Sequence, residues 1–287
     1  MADLGEQTLM ANDQTPLAYE IHGSSGPWVV LLHGWSGSRA FFALNAPALA
    51  ASCRVLLLDQ RHHGGSGGGL HGRHVARLAA DLRGALAALD ITDATVVGTS
   101  MGCAVIWSYI ELFGTDRLAK AVFVDQAPLQ NRAPGWELGS KGCYDEASLR
   151  RLQATLARDV GEVADGNAAG CLSLPVPAEL LARLRSETLR CDGAALAELM
   201  QDHTQLDWRP LLPRIGIPCL NCVGGASGVF PPEGCLEVAR LAPDCCSAVF
   251  DRANHWLYLE QPAEFNDLLL GFVARGNAGR PKLAHIA

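Results

Sequence analysis

The sequence predicts an α/β fold: a mostly parallel central sheet with helices on both faces and a helical lid inserted between two of its strands. Three observations carry this expectation. Short apolar, β-branched runs alternate with segments of helical periodicity, the pattern of a sheet buried on both faces. The alternation stops once, between Gln126 and about Pro213, where helical patterns follow one another. One strand also runs straight into a helix through Gly98-Thr99-Ser100-Met101-Gly102, a turn too short for any ordinary loop.

The elements follow in order. Thr15 to Ile21 reads as an early strand, Trp28 to Leu32 as a fully apolar strand, and Val55 to Asp59 as another, followed by a glycine-rich loop from His63 to Gly69. From His74 to Leu89, Val75, Leu78, Leu82, Leu86 and Leu89 share one helical face. Ala94 to Val97 is a strand, Cys103 to Phe113 an apolar helix and Ala121 to Val124 a further strand. Three helical patterns then form the lid: Glu146 to Val160, Ala178 to Arg190 and Gly193 to Leu206. The sheet resumes at Pro218 to Val223; a helix at Glu233 to Leu241, a last strand at Ser247 to Phe250 and a closing helix at Pro262 to Arg275 complete it. The expected organisation is a core of residues 1–126 and 213–276, a helical cap of 127–212, and a loose tail of 277–287.

Composition narrows the function classes. The 287 residues are 49% hydrophobic and 18% charged, enough for one full core with an insertion. A net charge of -7 without any Lys/Arg run argues against nucleic acid or an anionic membrane as partner. The segment Met1 to Glu6 has neither the basic start nor the apolar core of a signal peptide, and no apolar stretch approaches a membrane span. Ten scattered cysteines read as buried free thiols, which suits a cytoplasmic location. Cys219-Leu220-Asn221-Cys222 lies in a strand, where residues three apart face opposite ways, so it is not read as a redox or zinc motif.

The G-x-S-x-G segment has the mechanics of a nucleophile elbow. A tight strand-to-helix turn forces Ser100 into a strained backbone region, and the flanking glycines leave its hydroxyl exposed at a helix N-terminus. His33-Gly34-Trp35 lies upstream, and Asn254-His255-Trp256 downstream. With Asp59-Gln60-Arg61-His62-His63-Gly64-Gly65-Ser66, these motifs match in order and spacing those of the α/β-hydrolase superfamily, which the chain resembles over roughly residues 15–275. His62 departs from the pattern, standing where the family commonly has glycine.

The resemblance implies Ser100 as nucleophile, His255 as its general base, and the backbone N–H groups of Trp35 and Met101 as the oxyanion hole. The family's usual acid, a few residues past the strand after the lid, is replaced here by Ser227, which offers no charge to offset an imidazolium. Asp125 ends the strand after the elbow helix and is the favoured substitute. The zearalenone lactone hydrolases resemble this chain in that placement. Asp251 is a weaker candidate, Glu233 reads as a helix-start residue, and Asp59 with Arg61 reads as structural.

His62, His63, His71 and His74 cluster on a loop expected to be exposed, without zinc-hydrolase spacing, so no metal and no cofactor is implied. Trp136, Tyr144, Phe230 and Trp256 are candidate pocket residues. The implied activity is hydrolysis of an ester or lactone of a fairly apolar small molecule by a monomer or homodimer. A lyase or carbon–carbon hydrolase on the same fold, and a ligand-binding receptor, are the alternatives.

Overall fold

The computed structural model describes residues 4–69 and 71–287; Met1 to Asp3, part of the expected core and N-terminal segment, lie outside them. Among the described residues, nine strands form one sheet in the order β1-β2-β4-β3-β5-β6-β7-β8-β9. Strands β1 (Leu4–Met10) and β2 (Pro16–His22) run antiparallel to their neighbours. Strands β3 (Trp28–Leu32), β4 (Arg54–Leu58), β5 (Ala94–Thr99), β6 (Leu118–Val124), β7 (Cys219–Gly224), β8 (Cys245–Phe250) and β9 (Leu283–Ile286) form a parallel array. Helices α2 (Val75–Ala88), α3 (Met101–Phe113) and α8 (Pro232–Leu241) pack over one face. Helices α1 (Ala46–Ala50), α9 (Leu257–Glu260) and α10 (Pro262–Arg275) cover the other. Both faces are therefore buried, which explains why the central strands carry continuous apolar runs rather than alternation.

Between β6 and β7 rises a cap of four helices: α4 (Glu146–Arg158), α5 (Val160–Cys171), α6 (Ala178–Leu189) and α7 (Gly193–Gln205). The sequence pattern predicts three. The fourth, α5, contains Gly161, Gly166 and Gly170 and so has little intrinsic helix propensity. It forms because Asp159 caps it, accepting from Gly161 N at 2.7 Å, and because α4 and α6 pack against it.

Two further expectations change. Residues 277–287 are not loose: β9 pairs with β8 from Ser247↔Leu283 to Phe250↔Ile286, and Gln261 Nε2 donates to the Ala287 carbonyl at 3.0 Å. Strand β1, too, has no counterpart in the sequence pattern. Both are edge strands whose side chains are largely exposed, so no apolar run marks them. The histidine cluster is not uniformly exposed either. His62 and His63 are buried, and His74 instead caps α2, accepting from Arg77 N at 3.2 Å. His62 takes φ 67°, the left-handed region that glycine favours, which accounts for glycine being common there in the family.

Candidate active site

The parallel strands deliver their carboxyl ends to one edge, the usual place for a site in an open α/β sheet. Register fixes who meets whom. Thr99 on β5 pairs with Val124 on β6, so Ser100 and Asp125 emerge side by side, and Ser100 N donates to Val124 O at 2.9 Å. Leu32 on β3 pairs with Gly98, bringing the His33-Gly34-Trp35 turn to the other flank of Ser100.

Ser100 has φ 52° and ψ -123°, a backbone conformation that only the surrounding structure can hold. The flanking glycines are required by space. A Cβ on Gly98 would stand 2.4 Å from the Gly102 carbonyl, and one on Gly102 would stand 2.7 Å from Leu32 O. Met101 opens α3, so its N–H has no partner within the helix and lies at the positive end of the helix dipole.

Two buried histidines hold the Trp35 turn. His33 Nε2 accepts from Gln60 N at 3.0 Å, so its Nδ1–H donates to Gly34 O at 2.8 Å. That carbonyl belongs to the same trans peptide as the Trp35 N–H, and fixing one end orients the other. His63 Nε2 accepts from Ser36 N at 3.2 Å while Nδ1–H donates to Arg61 O at 2.9 Å. Burial presses His33 down to about 4 and His63 to about 3, so both stay neutral and keep these tautomers. The Trp35 indole donates to Leu196 O at 2.8 Å, tying the turn to α7 of the cap.

His255 and Asp125 meet directly. His255 Nδ1 lies 2.7 Å from Asp125 Oδ2, and the carboxylate is fully buried. With Nδ1 donating to the carboxylate, Nε2 is left to act as a base. Asp125 Oδ1 accepts from Gly224 N at 2.8 Å, and Oδ2 also accepts from Ser227 Oγ at 2.7 Å. Ser227, at the family's usual acid position, is thus a donor to Asp125. Its hydroxyl oxygen accepts in turn from Val229 N and Phe230 N. Sequence reasoning found Ser227 as a missing charge but not as this donor.

It also missed Asn254. Asn254 Oδ1 accepts from His255 N at 2.7 Å and Gly228 N at 2.6 Å, while Nδ2 donates to Ser173 Oγ at 3.0 Å. One amide therefore joins the loops after β7 and β8 and ties both to the cap.

The other acids are spoken for. Asp251 Oδ1 lies 2.7 Å from His285 Nδ1 on β9. Asp59 accepts from Arg39 N and Gly65 N at 2.7 Å each, Arg61 pairs with Asp81, and Glu233 sits in the first turn of α8.

Ser100 and His255 open into a cavity of about 420 Å³ between core and cap, lined by Trp35, Phe41, Trp256, Met200 and Val229 among others. Gly166 and Gly170, four apart on α5, line the same wall, where a side chain would project into the cavity. Of the four expected pocket aromatics, only Trp256 lines it, stacked edge-on to Phe41 at 5.2 Å. Phe230 instead packs behind His255, with ring centroids 6.0 Å apart. Trp136 is buried beside the β7–α8 region, its indole donating to Leu129 O, and Tyr144 lies under Arg132. Trp136 and Tyr144 found partners away from the cavity, whereas Phe230 packs against His255, which lines it. Among the described residues, no three His, Cys, Asp or Glu side chains form a metal-ligand group, and no helix is long and apolar enough to cross a membrane.

The family model for the alpha/beta hydrolase fold matches residues 27–175, more than half of the chain. The chain belongs to the α/β-hydrolase family. It is 28% identical over 260 residues to the dihydrolipoyllysine-residue acetyltransferase component of an acetoin cleaving system from Pseudomonas putida, covering 90% of this chain and 66% of that one. It is 25% identical to a pimeloyl-[acyl-carrier protein] methyl ester esterase from Vibrio cholerae, covering 90% of this chain and 98% of the relative. An esterase from Exiguobacterium antarcticum superposes with a TM-score of 0.88 at 22% identity, covering 93% and 99% of the two chains, a likeness of fold. The chain is thus an α/β hydrolase with esterase-like relatives.

Proposed function

We propose that this protein is a serine hydrolase that cleaves an ester or lactone of a fairly apolar small molecule through an acyl-enzyme. The observation that carries the proposal is the buried Asp125–His255 pair at 2.7 Å, at the edge of a cavity that also exposes a strained Ser100. His255 Nε2 takes the Ser100 proton as Oγ attacks the carbonyl carbon. The oxygen charge that develops is met by the N–H groups of Met101 and Trp35. Collapse breaks the carbon–oxygen bond as His255 returns the proton to the leaving alkoxide, and a water activated by His255 then releases the acid and frees Ser100. Asp125 accepts from Nδ1 throughout, holding the imidazole in one tautomer and stabilising its charged form.

Apolar walls of Phe41, Trp35, Trp256 and Val229 favour an apolar substrate. The carboxylic esterase among the relatives lends support to the ester reading. A cytoplasmic setting belongs to the same proposal, since all ten cysteines are free and buried, a state that a reducing compartment maintains. The test is p-nitrophenyl ester turnover with labelling by a fluorophosphonate. Labelling at Ser100, abolished together with turnover in Ser100→Ala, is the expected result. A wild type that neither labels nor turns over any ester overturns the proposal and favours a receptor. Labelling without ester turnover favours lyase chemistry at the same serine.

A further inference from the structure

The cap wall of the cavity holds a buried imidazole that the catalytic chemistry does not use. His203 lies in the last turn of α7, is 2% exposed, and lines the same cavity as Ser100. Neither Nδ1 nor Nε2 has a hydrogen-bond partner among the described residues. Leaving a buried donor and acceptor unmade is costly, so such groups in a well-packed protein call for an explanation. Nothing in the fold requires histidine here. Its neighbours on α7, Leu196, Leu199 and Met200, are apolar, and α7 would be stable with another apolar residue at this position.

A second polar side chain stands at the same wall. Gln130 is buried and also lines the cavity, its Nε2 spent on weak contacts to Cys143 O at 3.3 Å and Met200 Sδ at 3.4 Å. The segment carrying it is joined to the end of α7 by Asn131 N donating to Thr204 O at 3.2 Å, so Gln130 and His203 flank one seam. The cavity has other polar lining residues, Ser140, Ser148, Thr155, Asn167 and Arg151 among them, but His203 is a buried one with both polar atoms unpartnered, the kind of group by which pockets orient a ligand.

We propose that His203, assisted by Gln130, is a specificity-determining site that hydrogen-bonds a neutral polar group, a hydroxyl or carbonyl, on the substrate away from the scissile bond. This rests on the ester-hydrolase reading and names its substrate class: esters or lactones whose apolar body carries a hydroxyl or keto oxygen. Desolvation presses His203 down to about 4, so at neutral pH the ring is uncharged, with one nitrogen donating and the other accepting. That pair of roles matches a hydroxyl, which both donates and accepts. A carboxylate offers no proton to the accepting nitrogen, so it does not match this pair of roles at His203.

The experiment compares matched substrates: p-nitrophenyl alkanoates with and without a terminal hydroxyl, and hexanoate esters of simple alcohols and of the corresponding diols. The readout is the ratio of kcat/KM within each pair. Wild type is expected to favour a hydroxylated member of at least one series by about ten- to hundredfold. His203→Leu should bring that ratio close to one, and His203→Gln, which retains a donor and an acceptor, should keep part of it. A ratio near one in wild type for every pair overturns the proposal and leaves water as the group facing His203. So does a His203→Leu protein in which both members fall together and the ratio survives. If wild type hydrolyses no ester at all, the hydrolase reading fails separately. Calorimetric binding of the matched methyl ketones, which needs no turnover, then decides the His203 site on the same criterion.

Discussion

Two buried polar side chains, His203 at the cavity wall and Asp125 behind the cavity-lining His255, are treated in opposite ways. Asp125, at the end of β6, receives three donors: Gly224 N, Ser227 Oγ and His255 Nδ1. His203, on α7 of the cap, receives none among the described residues. A carboxylate surrounded by donors holds its negative charge and its geometry before any substrate arrives, which is preorganisation for a developing imidazolium. An unpaired imidazole is unsatisfied until something binds. On the proposed reading the core edge serves chemistry and the cap wall recognition, a division that would let one catalytic frame serve many substrates by changing its cap.

The largest expected effect bears on the core side. Transferring the carboxylate back to the loop after β7, by Asp125→Ala with Ser227→Asp, should recover at least about tenfold over Asp125→Ala alone, because a new carboxylate would stand beside the same imidazole. The check is p-nitrophenyl ester kcat in the two variants; no recovery would mean that the Ser227 loop does not reach His255. Ser227→Ala, which removes one of three donors, should lower kcat about three- to tenfold with little change in KM, measured on the same ester. An unchanged kcat would reduce Ser227 to a loop brace for Val229 and Phe230.

On the cap side the comparison is sharpened by stability. His203→Leu replaces an unsatisfied buried polar group with an apolar one and should raise the melting temperature by about 2–4 °C at pH 7. A fall of several degrees would show that the ring is a packing element instead. Acid should expose the same group. His33, His63 and His203 all have folded values pressed below 6.5 by burial. Between about 4 and 6.5 the unfolded chain binds more protons than the folded one, so stability is full above that window and is lost as pH falls through it. Melting temperature against pH should therefore drop below about pH 6.5, with a shallower slope in His203→Leu.

The contrast also marks what a sequence discloses. The strand-to-helix turn at Ser100, the two flanking motifs and the meeting of Asp125 with His255 were legible because each combines a strand end with a residue type that the proposed chemistry needs. The edge strands β1 and β9 were not, since exposed edges carry no apolar signature, and α5 was hidden by three glycines, two of which, Gly166 and Gly170, leave room at the cavity. Aromatic side chains near the expected cleft misled: Trp136, Tyr144 and Phe230 satisfy packing or cation–π partners instead of lining it. His203 gave no signal, because an isolated histidine on an apolar helix face acquires meaning only from what does not surround it.

The central claim is that Asp125, not a residue of the loop after β7, orients and charges the catalytic histidine. It is tested most directly by the kcat/KM of Asp125→Asn on a p-nitrophenyl ester, with folding verified by circular dichroism. A loss of about 10³–10⁴-fold in a folded protein is the predicted result, since asparagine cannot hold the imidazole in its working tautomer. Activity within a few-fold of wild type would contradict the account and leave Ser100 and His255 working as a dyad.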